Sequence, residues 1–261
     1  MDDIVTKRTE GVLRVELNRP EKLNAMTSSM YTKLANIFDE AAKDEHIRVV
    51  LWHGAGDAFS AGNDIKDFLD NPPGPGESPQ ARLMTALVDF DKPLVAAVHG
   101  AAIGGGTTML LHCDFVYAAE NTNFQMPFIN LAVVPEFGSS CLVPLAIGHL
   151  RAAELILLGL PFGAKRALEL GLITQVVPDQ NLLEVATDTA KDLAAKPAEA
   201  MRVSKRLLKH SFREQINSAM KAENEAFSVQ IHSEDAKEAL TAFLEKRPPN
   251  FIKAGKSVSG K

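Results

Sequence analysis

Hydrophobic residues fill every position of residues 94–98, and the chain then passes through the glycines Gly104 to Gly106 into another apolar run. Residues 94–108 thus predict a strand buried on both faces that leads into a helix over residues 107–112. Unpaired N–H groups and the helix dipole favour negative charge at such a helix N-terminus. No Lys-Ser/Thr pair follows these glycines and they lack Gly-x-Gly-x-x-Gly spacing, which favours a developing oxyanion over a nucleotide phosphate. Relief of crowding between helix and sheet remains the structural alternative.

Strand-like and helix-like periodicities alternate along much of the chain, which predicts an α/β fold with a parallel sheet. Residues 4–6 and 12–17 are typical of an edge hairpin, and Thr27 or Ser28 can cap a helix with an apolar stripe. Residues 54–62 are expected to form a loop, and the Pro/Gly-rich residues 71–79 a mobile surface loop near the site. Further strands are predicted at 49–53, 115–119 and 173–177, and helices at 64–69, 82–90, 181–194, 198–209, 213–230 and 234–244.

The C-terminal quarter is mainly helical, which predicts a core domain over residues 1–180 and a helical region over 181–261. Hydrophobic residues make up 46% of the 261 residues, enough for a substantial core. The net charge of −5 disfavours nucleic-acid and membrane-surface partners. With two cysteines, no signal-peptide pattern and no long apolar run, a reducing cytoplasmic location without membrane spans is expected.

Metal chemistry is not expected from the histidines. His53, His99 and His112 lie near the ends of predicted strands and helices, but no pair of them has zinc-ligand spacing. We therefore expect them to be structural residues with hydrogen-bond partners.

Five motifs follow one another in the order and spacing of a known family. They lie at residues 18–25, 58–65, 100–106, 113–115 and 242–251. Together they resemble the crotonase superfamily, also called the enoyl-CoA hydratase/isomerase family, over nearly the whole chain. The resemblance implies a ββα spiral core, a helical C-terminal region used in trimerisation, and acyl-CoA thioesters as substrates. It also implies a homotrimer or hexamer that needs no metal or redox cofactor.

The resemblance assigns an oxyanion hole to the backbone N–H groups of Asn63 and Gly105. Two such donors in a dry pocket stabilise the charge on a thioester oxygen by roughly 3 to 4 kcal/mol each. Because the donors are backbone groups, the side chain of Asn63 is not expected to matter. By the same resemblance, Ala61, Asp64 and Ile65 lie at the adenine pocket. Lys22 and Lys253 are candidates for holding CoA phosphates as point charges, with ordinary solvated lysines as the alternative.

Hydratases of this family use two glutamates, at positions that Thr108 and Phe128 occupy in this chain. Neither residue is a carboxylate, which disfavours hydration; Thr108 is expected in the pocket wall. Instead, Glu136 lies where the peroxisomal-type Δ3,Δ2-enoyl-CoA isomerases keep their single base. Its apolar neighbours are expected to raise its pKa by desolvation. An exposed carboxylate, or a cap for a helix beginning near Ser139, is the alternative.

The expected function is therefore Δ3,Δ2-enoyl-CoA isomerisation with Glu136 as the general acid/base. The first alternative is enoyl-CoA hydration, or another thioester reaction of the family, with a water placed by Glu136 alone. The second is a non-catalytic CoA- or RNA-binding protein, since Lys205, Arg206 and Lys209 form a small basic run.

Overall fold

The computed structural model describes residues 2–71 and 78–251 of the chain. Its strands are β1 (Ile4–Thr9), β2 (Val12–Leu17), β3 (Val49–Gly54), β4 (Ala58–Ser60), β5 (Leu94–Val98), β6 (Ala101–Ile103), β7 (Phe115–Ala119), β8 (Asn123–Gln125), β9 (Phe162–Gly163) and β10 (Gln175–Val177). Its helices are α1 (Ser28–Lys43), α2 (Ile65–Asp70), α3 (Pro79–Asp89), α4 (Gly105–Thr108), α5 (Ser139–Ile147), α6 (His149–Leu158), α7 (Ala164–Glu169), α8 (Leu182–Ala194), α9 (Ala198–His210), α10 (Arg213–Gln230) and α11 (Glu234–Leu244).

The larger sheet has the strand order β1-β2-β3-β5-β7-β10. The hairpin of β1 and β2 is antiparallel and every other pairing is parallel. The predicted parallel sheet and its edge hairpin are confirmed. Thr27 caps α1 as expected, because its side chain accepts a hydrogen bond from the N–H of Met30.

Strand β5 is covered on both faces, as the sequence predicts. Leu94, Ala96 and Val98 belong to the larger buried cluster, which also contains residues of α1 and α3. Val95 and Ala97 face the other way and pack in a second cluster with α8. Since α8 follows the predicted boundary at residue 180, part of the helical region completes the core of the sheet; the division into two domains stays a prediction.

A second sheet, of order β4-β6-β8-β9, corrects two expectations. Residues 54–62 are not all loop, because β4 lies within them. Residues 94–103 are not one strand either: the chain turns at Gly100, with a φ of +57°, and enters the second sheet as β6. Any Cβ at Gly100 would collide with the Asp57 carbonyl oxygen, so the turn requires glycine. Strands β4 and β6 have three residues each, too short for a periodic signal.

The helix after the glycines also differs from the expected 107–112. Helix α4 begins at Gly105, and a tighter 3-10 turn continues it over Met109–His112. Two helices near the middle of the chain, α6 and α7, were not predicted. In contrast, α10 and α11 have the predicted bounds. No helix in the described ranges is long and apolar enough to cross a membrane.

Candidate functional site

A cavity of about 700 Å³ lies between the glycine segment, the loop before α2, and helices α10 and α11. Its wall brings together most of the residues that the sequence singles out. They are Lys22, Ala61, Asn63, Asp64, Ile65, Gly105, Phe128 and Glu136. The motifs at residues 58–65 and 100–106, which lie far apart in the chain, therefore form one site.

The backbone N–H groups of Asn63 and Gly105, in this wall, have no acceptor among the described residues. Met26 donates to the Gly62 carbonyl over 2.7 Å and accepts from the Asp64 N–H over 2.9 Å, so this bridge skips the N–H of Asn63. Gly105 is the first residue of α4, where the N–H lacks a helical partner. A Cβ on Gly62 would lie 3.7 Å from the Gly105 nitrogen, so the two segments run side by side.

Glu136 places a carboxylate beside this pair of donors. Its side chain is buried, and its Oε1 has no hydrogen-bond partner among the described residues. A Cβ on Gly105 would lie 3.0 Å from that oxygen, so the carboxylate faces the α-carbon of Gly105 directly. Burial, reinforced by the negative charge of Glu223, raises the pKa of Glu136 to about 8, while a hydrogen bond from Asn63 opposes the rise. The expected upward shift in pKa is confirmed.

Tyr31 is a residue of the site that sequence reasoning missed. It is completely buried on α1, and its hydroxyl donates to the side-chain oxygen of Asn63 over 2.7 Å. Burial, together with the negative charge of Glu136, raises the pKa of Tyr31 well above its usual value, so the hydroxyl keeps its proton. The Asn63 side chain therefore has a defined structural role, contrary to the expectation that only its backbone counts.

The loop after Glu136 is held in an unusual backbone conformation. Phe137 and Gly138 have φ values of +60° and +71°, in the left-handed region that a bulky residue such as Phe rarely adopts. The Nε2–H of His112 donates to the Phe137 carbonyl over 2.7 Å. Burial lowers the pKa of His112 to about 4, so it is neutral at physiological pH. The carboxylate of Glu223 accepts from the N–H groups of Gly138 and Ser140 over 2.7 and 2.8 Å.

A second cavity of about 630 Å³ approaches Glu136 from the side of α3 and α10. Both cavities are lined by Glu136, Phe68 and Phe227. The two aromatic rings meet edge to face with their centroids 5.7 Å apart, so this pair stands where the cavities adjoin. The carboxylate can thus be reached from either chamber.

Other predicted residues are placed less centrally. Asp64 lines the cavity, but its carboxylate caps α2 and pairs with Arg19 over 2.8 Å. Thr108 is not in the cavity wall: it is fully buried behind it, and its hydroxyl donates to the Gly104 carbonyl over 3.3 Å. Phe128 does line the wall. Lys253 lies outside the described residues, as do residues 72–77 of the predicted mobile loop.

The three histidines have the hydrogen-bond partners expected of structural residues. His53 contacts Arg14, His99 contacts the Gly56 carbonyl, and His112 holds the Phe137 carbonyl. Among the described residues, no group of His, Cys, Asp and Glu side chains could hold a metal ion.

The basic run considered for RNA binding serves to attach α9 to the core. Lys205 is buried and contacts the Asp114 carboxylate over 2.6 Å. Arg206 pairs with Asp91 over 3.1 Å. Burial lowers the pKa of Lys209 to about 8. Cations used in this way do not form a free basic surface.

Comparison with known proteins gives concordant matches over nearly the full length. The family model described as enoyl-CoA hydratase/isomerase matches residues 7–254. A probable enoyl-CoA hydratase of Bacillus subtilis is 35% identical, with 87% of this chain and 90% of that protein covered. The human enoyl-CoA delta isomerase 2 is 32% identical, with 94% of this chain and 64% of that protein covered.

A solved structure shares the fold described above. The enoyl-CoA hydratase/isomerase of Pseudoalteromonas atlantica T6c superposes with a TM-score of 0.92 at 38% identity. The match covers 96% of this chain and all of that one.

Proposed function

The chain belongs to the enoyl-CoA hydratase/isomerase family, and on this basis we propose that it is a Δ3,Δ2-enoyl-CoA isomerase with Glu136 as its general acid/base. One observation carries the proposal. Glu136 is a buried carboxylate with an unpartnered oxygen that faces Gly105, beside two unpaired N–H groups. The other cavity-lining carboxylate considered, Asp64, is already engaged by Arg19 and α2.

In this proposal the thioester carbonyl oxygen accepts hydrogen bonds from the N–H groups of Asn63 and Gly105. Glu136 removes a proton from C2 of a 3-enoyl-CoA, and the electron pair delocalises over C2 to C4 and the carbonyl oxygen as a dienolate. The same carboxyl group then returns the proton to C4, which leaves the double bond between C2 and C3. Charge develops on the oxygen only during the reaction, so preorganised donors lower the barrier.

The raised pKa of Glu136 suits a group that both accepts and returns a proton. A pKa of about 8 lies near neutral pH, where neither protonation state is strongly disfavoured. The positions of Thr108 and Phe128 lack the carboxylates that family hydratases use, which supports a reaction that requires one carboxylate. No cofactor enters the proposed reaction, since coenzyme A is part of the substrate.

The open end of the cavity is proposed to bind the CoA moiety. Ala61 and Ile65 line it beside Lys22, whose ammonium group can contact a phosphate. Lys253 is proposed to assist from the C-terminal end of the chain. Assembly into a homotrimer or hexamer and a cytoplasmic location remain predictions.

Enoyl-CoA hydration is the second candidate, and the second cavity is the observation that favours it. That chamber reaches Glu136 and is lined by polar residues such as Gln80 and Asn224, so it can supply a water molecule. Glu136 would then have to act without a second carboxylate.

The test is a spectrophotometric assay at the absorbance of the conjugated thioester, with wild type and Glu136→Gln. The proposal expects rapid conjugation of trans-3-hexenoyl-CoA and a loss of about 100-fold or more in the variant. Fast hydration of crotonyl-CoA with no conjugation of the 3-enoyl substrate would instead assign the chain to hydration.

A further inference from the structure

The carboxylate of Glu223 on helix α10 binds the loop that follows Glu136. Glu223 is buried, and its two oxygens accept the N–H groups of Gly138 and Ser140 over 2.7 and 2.8 Å. These residues are two and four positions after Glu136. A hydrogen-bond acceptor that carries a negative charge also suits the start of α5, where the helix dipole is positive.

The backbone between Glu136 and α5 requires such support. Phe137 and Gly138 are both left-handed, and for Phe137 this conformation costs energy that surrounding contacts must offset. The loop also packs closely on α10: a Cβ on Gly138 would lie 3.3 and 3.4 Å from carbons of Ile216 and Met220. His112 fixes the Phe137 carbonyl from the other side.

We propose that Glu223 is a positioning residue of this site, which holds Glu136 against Gly105 by fixing the strained loop that follows it. The inference rests on the proposed role of Glu136 as the general acid/base. Glu223 itself touches the loop and not the cavity that would hold the thioester.

The charge of Glu223 adds a second effect to the geometric one. Burial is the larger cause of the raised pKa values of Glu136 and of the Cys141 thiol on α5, and the negative charge of Glu223 adds to both. Burial raises the pKa of Glu223 itself, against the hydrogen bonds from Ser140 and Gly138. Around Glu136 stand Tyr31 on α1 and neutral His112 after α4, with Asp89, Lys221 and Glu225 along the adjoining cavity.

Two substitutions separate position from charge. Glu223→Gln removes the charge but leaves one oxygen acceptor, whereas Glu223→Asp keeps the charge on a shorter side chain. Glu214→Gln is the matched control, because Glu214 is an exposed residue on the same helix. The full-length proteins are labelled with carboxyl-¹³C glutamate, and the Glu136 signal is identified by its absence in Glu136→Gln. Its titration is followed by NMR, alongside the pH profile of kcat and KM for trans-3-hexenoyl-CoA.

In Glu223→Gln we expect the Glu136 midpoint to move to lower pH by roughly half a unit or more, because a like charge is lost. We also expect kcat to fall about tenfold with KM changed less, since the base is displaced while binding is retained. Glu223→Asp should retain the midpoint and lose kcat, and Glu214→Gln should alter neither. A midpoint and kcat equal to wild type in both Glu223 variants would overturn the inference. If the midpoint moves as expected but wild type fails to conjugate the substrate, the proposed reaction is wrong and the link between Glu223 and Glu136 still holds.

Discussion

The hydroxyl of Tyr31 donates to the side-chain oxygen of Asn63 over 2.7 Å, inside the core and next to Glu136. Glu136 lies near the same side chain, because an interaction with Asn63 lowers the pKa of that carboxyl against the larger effect of burial. Three side chains from separate parts of the chain, those of Tyr31, Asn63 and Glu136, thus interact at the site. The backbone N–H of Asn63, which has no acceptor among the described residues, lies in the cavity wall, so the hydrogen bond from Tyr31 helps to hold that N–H in place.

Tyr31→Phe is expected to lower kcat/KM for the 3-enoyl substrate about tenfold, because the Asn63 amide is released. Loss of the buried hydrogen bond should also reduce the free energy of unfolding by about 1 kcal/mol. Tyr117→Phe is the matched control, since it removes a 2.8 Å contact with Thr189 on α8, away from the cavity. Both variants are compared by steady-state kinetics and urea unfolding. Equal losses of kcat/KM would contradict a specific role for Tyr31.

The raised pKa of Glu136 makes stability fall as pH rises. Its pKa is about 8 in the folded state against 4.5 normally, so the folded protein binds the proton more tightly. The stabilisation is complete below the unfolded pKa and is lost between roughly pH 4.5 and 8. In Glu136→Gln this loss should be absent. Between pH 5 and pH 9 the free energy of unfolding of the variant should therefore rise relative to that of wild type by on the order of 4 kcal/mol. Urea unfolding of both proteins from pH 5 to 9 measures the difference. Parallel stability curves would show that the carboxyl has an ordinary pKa.

The Phe68–Phe227 pair is expected to limit the length of the acyl group. It stands where the two cavities adjoin, with the rings 5.7 Å apart. Phe227→Leu should open this position and raise the kcat/KM ratio of trans-3-dodecenoyl-CoA to trans-3-hexenoyl-CoA at least about threefold, since each methylene buried contributes about 0.8 kcal/mol. Val229→Ala, an exposed change on the same helix, should leave the ratio unchanged. A ratio equal to wild type in Phe227→Leu would show that the acyl group of the substrate does not extend past this pair of rings.

Lys205 is expected to stabilise the fold and not to bind nucleic acid. Its ammonium group is buried against Asp114 at 2.6 Å and the Lys92 carbonyl at 2.7 Å. Lys205→Met keeps the apolar stem but removes the ion pair and leaves Asp114 with only the hydrogen bond from the Leu94 N–H, which should lower the free energy of unfolding by about 2 kcal/mol in urea unfolding. Lys191→Ala, at an exposed position on α8, should cost little. Tight RNA binding by wild type that weakens steeply with salt would instead revive the non-catalytic alternative.

The sequence predicts the larger sheet and the C-terminal helices well, because their signals are long. Residues 94–98 are apolar throughout, and α10 and α11 have the predicted bounds. The second sheet escapes detection because strands such as β4 and β6 have only three residues, and pairing between distant segments decides them. Tertiary pairing of this kind is not encoded in local propensity.

The candidate site is predicted in part, through the motifs around Asn63, Gly105 and Glu136. The sequence does not predict that Tyr31 and Glu223 belong to the site, because each side chain lies on the buried stripe of a helix, where an apolar residue is the usual expectation. A signal for Glu223 does exist in the chain: an acidic residue takes the place of an apolar one between Met220 and Phe227. A buried carboxylate at such a position requires partners, and only the fold shows that they are the N–H groups after Glu136.

The packing of α8 on the larger sheet has a consequence for biosynthesis. Strands β2, β3, β5 and β7 are complete by residue 119, but the face bearing Val95 and Ala97 is covered by residues 182–194. A ribosome must therefore release more than 60 further residues before that face can be buried, and the nascent chain carries an exposed apolar sheet in the meantime. Chaperone engagement is expected to concentrate in this window of translation and to end once α8 has emerged.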